Sequence, residues 1–125
     1  RAALGFPPSR KITVLARKHR LSDSDSIRNA WKTGIRFKTK YFMASVSKAR
    51  TSSVEQFCFV VSKSVGSAVI RNLVKRRLRS LAATSLGGVF RSHVVVVRAF
   101  PEIRHASFPE LQYSWGLFQS KWESS

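Results

Sequence analysis

Six basic side chains and no carboxylate lie in the segment 62–80. On a helix that begins near Ala68, three of these cations recur every four residues and form one stripe, because that spacing returns to the same helix face. Like charges at this spacing destabilise an isolated helix by about 0.2–0.5 kcal/mol per pair. An external polyanion would remove the repulsion, so the chemistry predicted here is phosphate binding. The stripe consists of Arg71, Lys75 and Arg79, and Asn72 and Arg76 widen it.

The opposite side of this helix is apolar. Ile70, Leu73, Val74, Leu78 and Leu81 recur at helical spacing, which is typical of a face that packs on a protein core. A solvated, charged helix face is the other interpretation of the stripe. The absence of any carboxylate between residues 56 and 101 favours contact with a nucleic acid instead.

The charge of the whole chain agrees with this interpretation. The 125 residues carry 23 Lys and Arg against 6 Asp and Glu, a net charge of +17 with a sequence pI near 11.6. Such a balance is typical of a domain that binds nucleic acid, and an acidic membrane surface is the weaker alternative. No apolar run is long enough to span a bilayer, and the single cysteine, Cys58, cannot form an intramolecular disulfide. A cytoplasmic protein is therefore expected.

The residue types needed for catalysis are present but scattered. Asp25 and Glu110 are explained as helix-start residues, and the other four carboxylates fall in predicted loops or near the C-terminal end. The three histidines have no metal-ligand spacing with Cys58. We therefore predict no catalytic residue and no metal ligand in the protein. A general acid–base pair built from two distant histidines stays open.

The spacing of apolar residues predicts the helices and strands that must position the cations. A single domain, residues 21–125, is predicted behind a basic and flexible arm, residues 1–20. A polar loop at residues 48–55 is expected to join two of the strands as a hairpin. The predicted strands are residues 41–47, 56–62 and 92–100.

Three helices accompany these strands. The first is predicted from an N-cap at Ser24 to a stop at Gly34. The second is the basic helix. The third begins at a capping box formed by Ser107 and Glu110 and runs to about Trp122. Helices and strands in this order predict an α+β sandwich of two layers.

Two patterns locate the core. Four consecutive valines, residues 94–97, predict a strand that is buried on both faces. Leu111, Trp115, Phe118 and Trp122 repeat at i, i+4, i+7 and i+11, which predicts that the last helix turns this stripe to the core.

Trp31 lies on the first helix and is followed by three cations, with aromatic residues between them. An aromatic ring flanked by cations suits an unpaired nucleic-acid strand, because bases stack on the ring while the cations follow the backbone. A plain core position is the alternative for Trp31. The first helix is expected to present Ile27, Ala30 and Trp31 on one face.

The basic segment carries a specific motif, Lys63-x-x-Gly66-x-Ala68-Val69-x-Arg71-Asn72-x-x-Lys75-Arg76-x-x-Arg79. This motif, which follows a strand and opens a helix, resembles the signature of the bacterial ribonuclease P protein family. Weaker matches extend over most of the chain. They are His19-Arg20-Leu21, Trp31-x-x-Gly34, Phe42, the strand from Val94 to Arg98, and a closing helix.

The resemblance implies a fold. The family has a small, four-stranded mixed sheet with helices packed on it, of the kind seen in the second domain of ribosomal protein S5. It includes a left-handed β-α-β crossover through the basic helix. This handedness runs against the usual rule for such units, and only the resemblance supports it here.

The resemblance also implies a function. The family's protein assists a catalytic RNA that removes the 5′ leader of precursor tRNA, so the partners expected are ribonuclease P RNA and precursor tRNA, with no membrane and no protein partner. Mg²⁺ is expected to act through the RNA. The basic helix would dock on the catalytic RNA through Arg71, Asn72, Lys75, Arg76 and Arg79, with Lys63 nearby. The residues implied for the leader-binding cleft are Ile27, Trp31, Lys40, Met43 and Ser45.

Five positions depart from the family pattern. Leu73 replaces a usual basic residue, and Arg77 replaces an apolar one. Ile27 and Trp31 stand where two phenylalanines are common, and Ser45 stands where a tyrosine is common. Stacking of the leader would then depend mainly on Trp31.

Two other functions stay open. A non-catalytic, ribosomal-type RNA-binding protein would share the charge without acting on precursor tRNA. An autonomous nuclease would cleave RNA without an RNA subunit. Cleavage assays with each component alone and with both together distinguish the three.

Overall fold

The computed structural model describes residues 19–21, 23–49 and 54–125. The predicted arm, residues 1–20, lies outside these ranges except for its last two residues. The helices are α1 (Ser24–Thr33), α2 (Ala68–Thr84) and α3 (Phe108–Ser124). The strands are β1 (Ile35–Lys38), β2 (Phe42–Lys48), β3 (Gln56–Val60) and β4 (His93–Ala99). Two short 3-10 turns, Lys63–Val65 and Pro101–His105, precede α2 and α3.

The four strands form one mixed sheet in the order β1-β2-β4-β3. Strand β4 is antiparallel to β2 and parallel to β3. The expected hairpin between β2 and β3 is therefore wrong, because β4 lies between them. The four valines explain this order: residues 94–97 are all buried, and a strand with apolar side chains on both faces belongs in the interior of a sheet.

The α+β architecture with a four-stranded mixed sheet and packed helices is confirmed. Strands β3 and β4 are parallel neighbours joined through α2, which makes a β-α-β unit. The left-handedness of this crossover stays a prediction.

One face of the sheet carries the main core. Helices α2 and α3 pack there against buried residues of β2, β3 and β4, including Phe42, Phe57 and Val95. The predicted stripe on α3 is confirmed. Its Trp115 and Phe118 are fully buried beside Phe42, with ring centroids 5.9 and 6.0 Å away. These rings fix α3 on the sheet.

The other face carries α1. Its Ile27, Ala30 and Trp31 pack against the β4 valines of that face, Val94 and Val96, as the helical spacing predicted. The N-cap is Asp23 and not Ser24, because the Asp23 carboxylate accepts a hydrogen bond from the Ser26 N–H at 3.0 Å. Hydrogen bonds from the Ser26 side chain and backbone also hold the pKa of Asp23 below its usual value.

Candidate RNA interface

Helix α1 leaves part of its sheet face uncovered, and we call that part the open face. Its residues are Met43, Cys58, Val60 and Arg98, which are exposed or half-buried. Met43 pairs with Arg98 across β2 and β4, and Arg98 pairs with Val60 across β4 and β3. The open face is therefore a continuous surface across three strands.

The cations of α2 border the open face. Arg71, Lys75 and Arg79 are half-buried along one side of the helix. Burial raises the pKa of the Cys58 thiol, and the positive charges of Lys75 and Arg79 oppose that rise. Lys75 and Arg79 therefore act electrostatically on Cys58, which lies on the edge strand β3 of the open face.

Asn72 and Arg76 take a different direction. Each follows a stripe residue by one position, about 100° around the helix, and both are exposed. The polar residues of α2 therefore form two groups. Arg71, Lys75 and Arg79 are half-buried on one side of the helix, and Asn72 and Arg76 turn outward to solvent. Lys63 is also exposed, in the 3-10 turn ahead of α2.

The start of α2 is held by its own residues. Ser67 caps the helix by accepting a hydrogen bond from the Ile70 N–H. Gly66 has a φ of 156°, a conformation that favours glycine. Its carbonyl accepts a hydrogen bond from Arg71 Nε at 3.2 Å. Arg71 is half-buried, so part of its side chain stays exposed although its Nε makes this structural hydrogen bond. Arg77 donates a hydrogen bond to the Ala106 carbonyl, which connects α2 to the segment before α3.

The described residues contain two ion pairs, His19–Glu55 and Asp25–Arg28, and neither involves a cation of α2. The charge of the helix is therefore not compensated within this part of the chain. A phosphate backbone would supply the missing negative charge.

Three of the five residues implied for the leader cleft lie together. Ile27 and Trp31 of α1 and Met43 of β2 are half-buried on the same side of the sheet. Ser45 is a correction: its side chain is 0% exposed and donates to the Ala30 carbonyl at 3.0 Å. It seats α1 on the sheet and cannot contact RNA there.

Lys40 is a second correction. Its ammonium lies 5.4 Å from the centroid of the Tyr41 ring, and its charge contributes to lowering the pKa of Glu110, after the larger effect of the Ser107 hydrogen bonds. Glu110 is in α3, which covers the core face. Lys40 therefore faces away from the open face, because the turn between β1 and β2 directs it toward α3.

Two arginines lie beside Trp31. The Arg36 and Arg98 Cζ atoms are 4.6 and 5.3 Å from the centroid of the indole ring. Arg36 is one of the three cations that follow Trp31 in the sequence. Arg98 could not be found from the sequence, because its position depends on the pairing of β4 with β2.

A buried network lies at the start of the described chain. His19 Nδ1 is 2.8 Å from the Glu55 carbonyl oxygen, and the Glu55 carboxylate accepts a hydrogen bond from the Gly87 N–H at 2.9 Å. The sequence placed Glu55 in a loop without a role. The network connects the segment before α1 to the turn after α2 and contributes to the fold.

Metal-binding groups and membrane-spanning helices are absent from the described part of the chain. In residues 19–21, 23–49 and 54–125, no group of three or more His, Cys, Asp or Glu side chains is arranged to hold a metal ion. No helix in the same ranges has the length and hydropathy needed to cross a bilayer.

Comparison with known proteins identifies relatives by sequence. The family model described as Ribonuclease P matches residues 15–122. The ribonuclease P protein component of a Nocardioides species is 42% identical over 100 residues, which cover 78% of this chain and 86% of that protein. The corresponding protein of an Arthrobacter species is 37% identical over 98 residues, which cover 78% and 72% of the two chains.

Solved structures agree on the fold. The RNase P protein of Staphylococcus aureus superposes with a TM-score of 0.76 at 18% identity, covering 82% of this chain and 94% of that one. The RNase P protein of Thermotoga maritima gives a TM-score of 0.70 at 20% identity, with coverages of 82% and 96%. With the sequence matches, these likenesses lead to one conclusion: the chain belongs to the family of bacterial ribonuclease P protein components.

Proposed function

We propose that this protein is the protein subunit of ribonuclease P. It binds the catalytic RNA through α2 and holds the 5′ leader of precursor tRNA on the open face, and so assists removal of the leader. The observation that carries the proposal is the uncompensated row of cations on α2, next to an open sheet face that bears Trp31. The geometry alone indicates RNA binding in general. Membership of the ribonuclease P protein family indicates the specific function and disfavours a non-catalytic ribosomal-type role.

The protein's part in the reaction is binding and positioning. The outward residues Asn72 and Arg76 and the exposed Lys63 suit a folded RNA, since they project from the surface. Lys75 and Arg79 extend this surface along α2, while the open face beside Trp31 suits the unpaired leader strand. Fixing the leader there holds the scissile phosphodiester in register with the catalytic RNA, which lowers the entropy cost of reaching the transition state.

The carboxylates of the described residues support a Mg²⁺ site in the RNA and not in the protein. Asp23 and Glu110 are engaged in helix caps, and the Glu55 carboxylate is buried with His19 and Gly87. These carboxylates do not converge on one point. We propose that the ions needed for hydrolysis are held by the RNA, and that the enzyme acts in the cytoplasm, where precursor tRNA is made.

Cleavage of precursor tRNA tests this function directly. We expect no cleavage by the protein alone, slow cleavage by the ribonuclease P RNA alone at low Mg²⁺, and faster cleavage by both together. Cleavage by the protein alone would show an autonomous nuclease. An unchanged rate on adding the protein to the RNA would favour the ribosomal-type alternative.

Replacing Trp31 with alanine tests the leader contact. We expect the holoenzyme to lose about fivefold in affinity for precursor tRNA, with little change for mature tRNA, because only the leader reaches the indole. A stacked base is worth about 1–3 kcal/mol, and the lower end applies because the guanidinium contacts already made by the ring must be given up. The measurement is the dissociation constant of each tRNA in the presence of the RNA subunit.

The control for this variant is Trp31→Phe, which keeps an aromatic ring against the sheet and is expected to retain most of the affinity. Trp31 also packs with Val94 and Val96, so the thermal midpoint of each variant is measured as well. Equal losses for precursor and mature tRNA would assign Trp31 to the core alone.

A further inference from the structure

A cavity of about 700 Å³ lies beside α1, and we call it the rear cavity. Its floor is the cross-strand row Ser47, Val94 and Gln56, and α1 forms one wall. In the next row of the same sheet face, Ser45 donates a hydrogen bond to the Ala30 carbonyl of α1. The helix therefore crosses the sheet between the rear cavity and the row that forms the open face, so the two surfaces are separate.

Three polar side chains that line the rear cavity lack a hydrogen-bond partner within the described ranges of the chain. They are Asn29, Ser47 and Gln56. Ser47 and Gln56 are half-buried, whereas the indole N–H of the half-buried Trp122 donates to the Val89 carbonyl. An amide side chain both donates and accepts hydrogen bonds, and so does a hydroxyl. The cavity therefore offers an unused set of donors and acceptors to a ligand.

The charge and the ring content of the rear cavity restrict the ligand. Its described lining has one carboxylate, Asp25, which pairs with Arg28 at 3.7 Å, and one cation, Lys48. This near balance, in a chain of net charge +17, does not favour a polyphosphate. No aromatic side chain lies among the described lining residues, so a base cannot stack there as it could on Trp31. The ligand expected is polar, carries a single negative group and binds through hydrogen bonds.

A ribonucleotide has this chemistry. Its ribose 2′-hydroxyl donates and accepts hydrogen bonds, an amide side chain can bind the N6 and N7 groups of adenine together, and its phosphate suits one lysine. The volume of the cavity lies within the usual range for small-ligand sites, about 300–1,000 Å³. A deoxyribonucleotide would leave the hydroxyl on the cavity floor without its partner.

We propose that the rear cavity is a binding site for one ribonucleotide, distinct from the surface that holds the leader. The amides of Asn29 and Gln56 bind the base edge, and the Ser47 hydroxyl binds the ribose 2′-hydroxyl. Lys48, which is exposed at the end of β2, contacts the phosphate. The nucleotide is supplied either free in solution or by an extruded residue of ribonuclease P RNA, and the experiment distinguishes these two sources.

Titration of the full chain with adenosine 5′-monophosphate, followed through the amide NMR signals, tests the site. We expect the signals of Ser47 and Gln56 to shift with a dissociation constant of about 1 mM, as for a small ligand held by a few hydrogen bonds. 2′-Deoxyadenosine 5′-monophosphate should bind about fivefold more weakly, since one hydrogen bond is lost. Asn29→Leu with Gln56→Met, which nearly keeps the volume of both side chains, should weaken binding about tenfold.

Lys48→Gln and Arg98→Gln form a matched pair, because each removes one exposed cation and Arg98 lies on the open face. Lys48→Gln is expected to weaken binding of adenosine 5′-monophosphate about fivefold and to leave binding of adenosine unchanged, whereas Arg98→Gln should change neither. The proposal is overturned if the cavity signals do not shift, if the double variant binds like the native protein, or if the deoxyribonucleotide binds equally well. Equal losses in Lys48→Gln and Arg98→Gln would also overturn it, since they would show a general effect of charge.

The holoenzyme distinguishes the two sources of the nucleotide. If ribonuclease P RNA supplies it, Asn29→Leu with Gln56→Met should weaken RNA binding about tenfold, and adenosine 5′-monophosphate should not bind to the holoenzyme. If the nucleotide is free, the RNA affinity of this variant is unchanged, and adenosine 5′-monophosphate binds to the native holoenzyme as it does to the protein alone. Either result supports the ribonucleotide site. The titration of the protein alone does not depend on the proposed function, so failure of one is distinguishable from failure of the other.

Discussion

Replacing Gly34 with alanine is expected to lower the free energy of unfolding by about 3 kcal/mol, the upper end of the usual cost of overpacking. A Cβ atom at Gly34 would clash with Ser45 Oγ, and it would lie 2.9 Å from the Ala30 carbonyl oxygen and 3.1 Å from the Val46 carbonyl carbon. Two of these three neighbours are backbone atoms, which cannot rotate away. The junction between α1 and the sheet must therefore open.

The same junction positions the RNA-binding side of α1. The Gly34 N–H ends the helix by donating to the Ala30 carbonyl at 3.0 Å, and Ser45 Oγ donates to that carbonyl as well. A displacement of Ala30 also moves Trp31, the next residue along the helix. We therefore expect Gly34→Ala to reduce affinity for precursor tRNA in addition to stability. Urea unfolding followed by circular dichroism measures the first effect, and tRNA binding measures the second.

Gly116→Ala is the control for this experiment. Gly116 lies within α3, and a Cβ atom there would meet nothing within 4 Å. Alanine at that site should raise stability by about 0.5–1 kcal/mol, since glycine is a poor helix former. Adding Ser45→Ala to Gly34→Ala should recover part of the loss by removing the closest contact. Strict additivity of these two changes, or native stability of Gly34→Ala, would contradict the steric argument.

Local patterns predicted much of the fold because they depend on neighbours in the chain. The capping box of Ser107 and Glu110 is confirmed, with both of its reciprocal hydrogen bonds present. The start of α2 at Ala68 and the burial of residues 94–97 are confirmed as well. Each of these features is set by spacing, by a cap, or by a run of one residue type.

The order of the strands could not be predicted in the same way. Alternation shows which face a residue occupies and does not show which strand lies beside it. The hairpin was therefore placed between β2 and β3, where β4 intervenes. For the same reason the approach of Arg98 to Trp31 was missed, since it depends on the register of Met43 with Arg98.

Ser45 shows a second limit. The resemblance implied that Ser45 contacts RNA, since it stands at a position of the family's leader-binding cleft. The residue is on the predicted face, yet α1 covers it and uses its hydroxyl to seat the helix. A pattern within one strand does not show which element will pack on that face.

Replacing Lys75 and Arg79 together with glutamine is expected to weaken binding of the ribonuclease P RNA about 10- to 100-fold, the cost of two charge-assisted contacts at a partly exposed surface. Both cations border the open face on one side of α2 and have no carboxylate partner in the described residues. Glutamine keeps much of each apolar stem, so the change removes charge with little loss of packing. Arg71 is left in place because its hydrogen bond to Gly66 supports the start of the helix.

The salt dependence of binding shows whether these cations contact phosphates. Each such contact contributes about 0.7–0.9 to the slope of log affinity against log salt, so the double variant should lower the slope by about 1.4–1.8. Arg91→Gln with Arg104→Gln is the matched control, since it removes two exposed charges elsewhere and both variants go from a net charge of +17 to about +15. A general effect of net charge would shift both slopes alike, and that result would contradict a specific role for α2. A fall confined to Lys75 and Arg79 would place these two charges at the RNA interface, because the loss of net charge is the same in both variants.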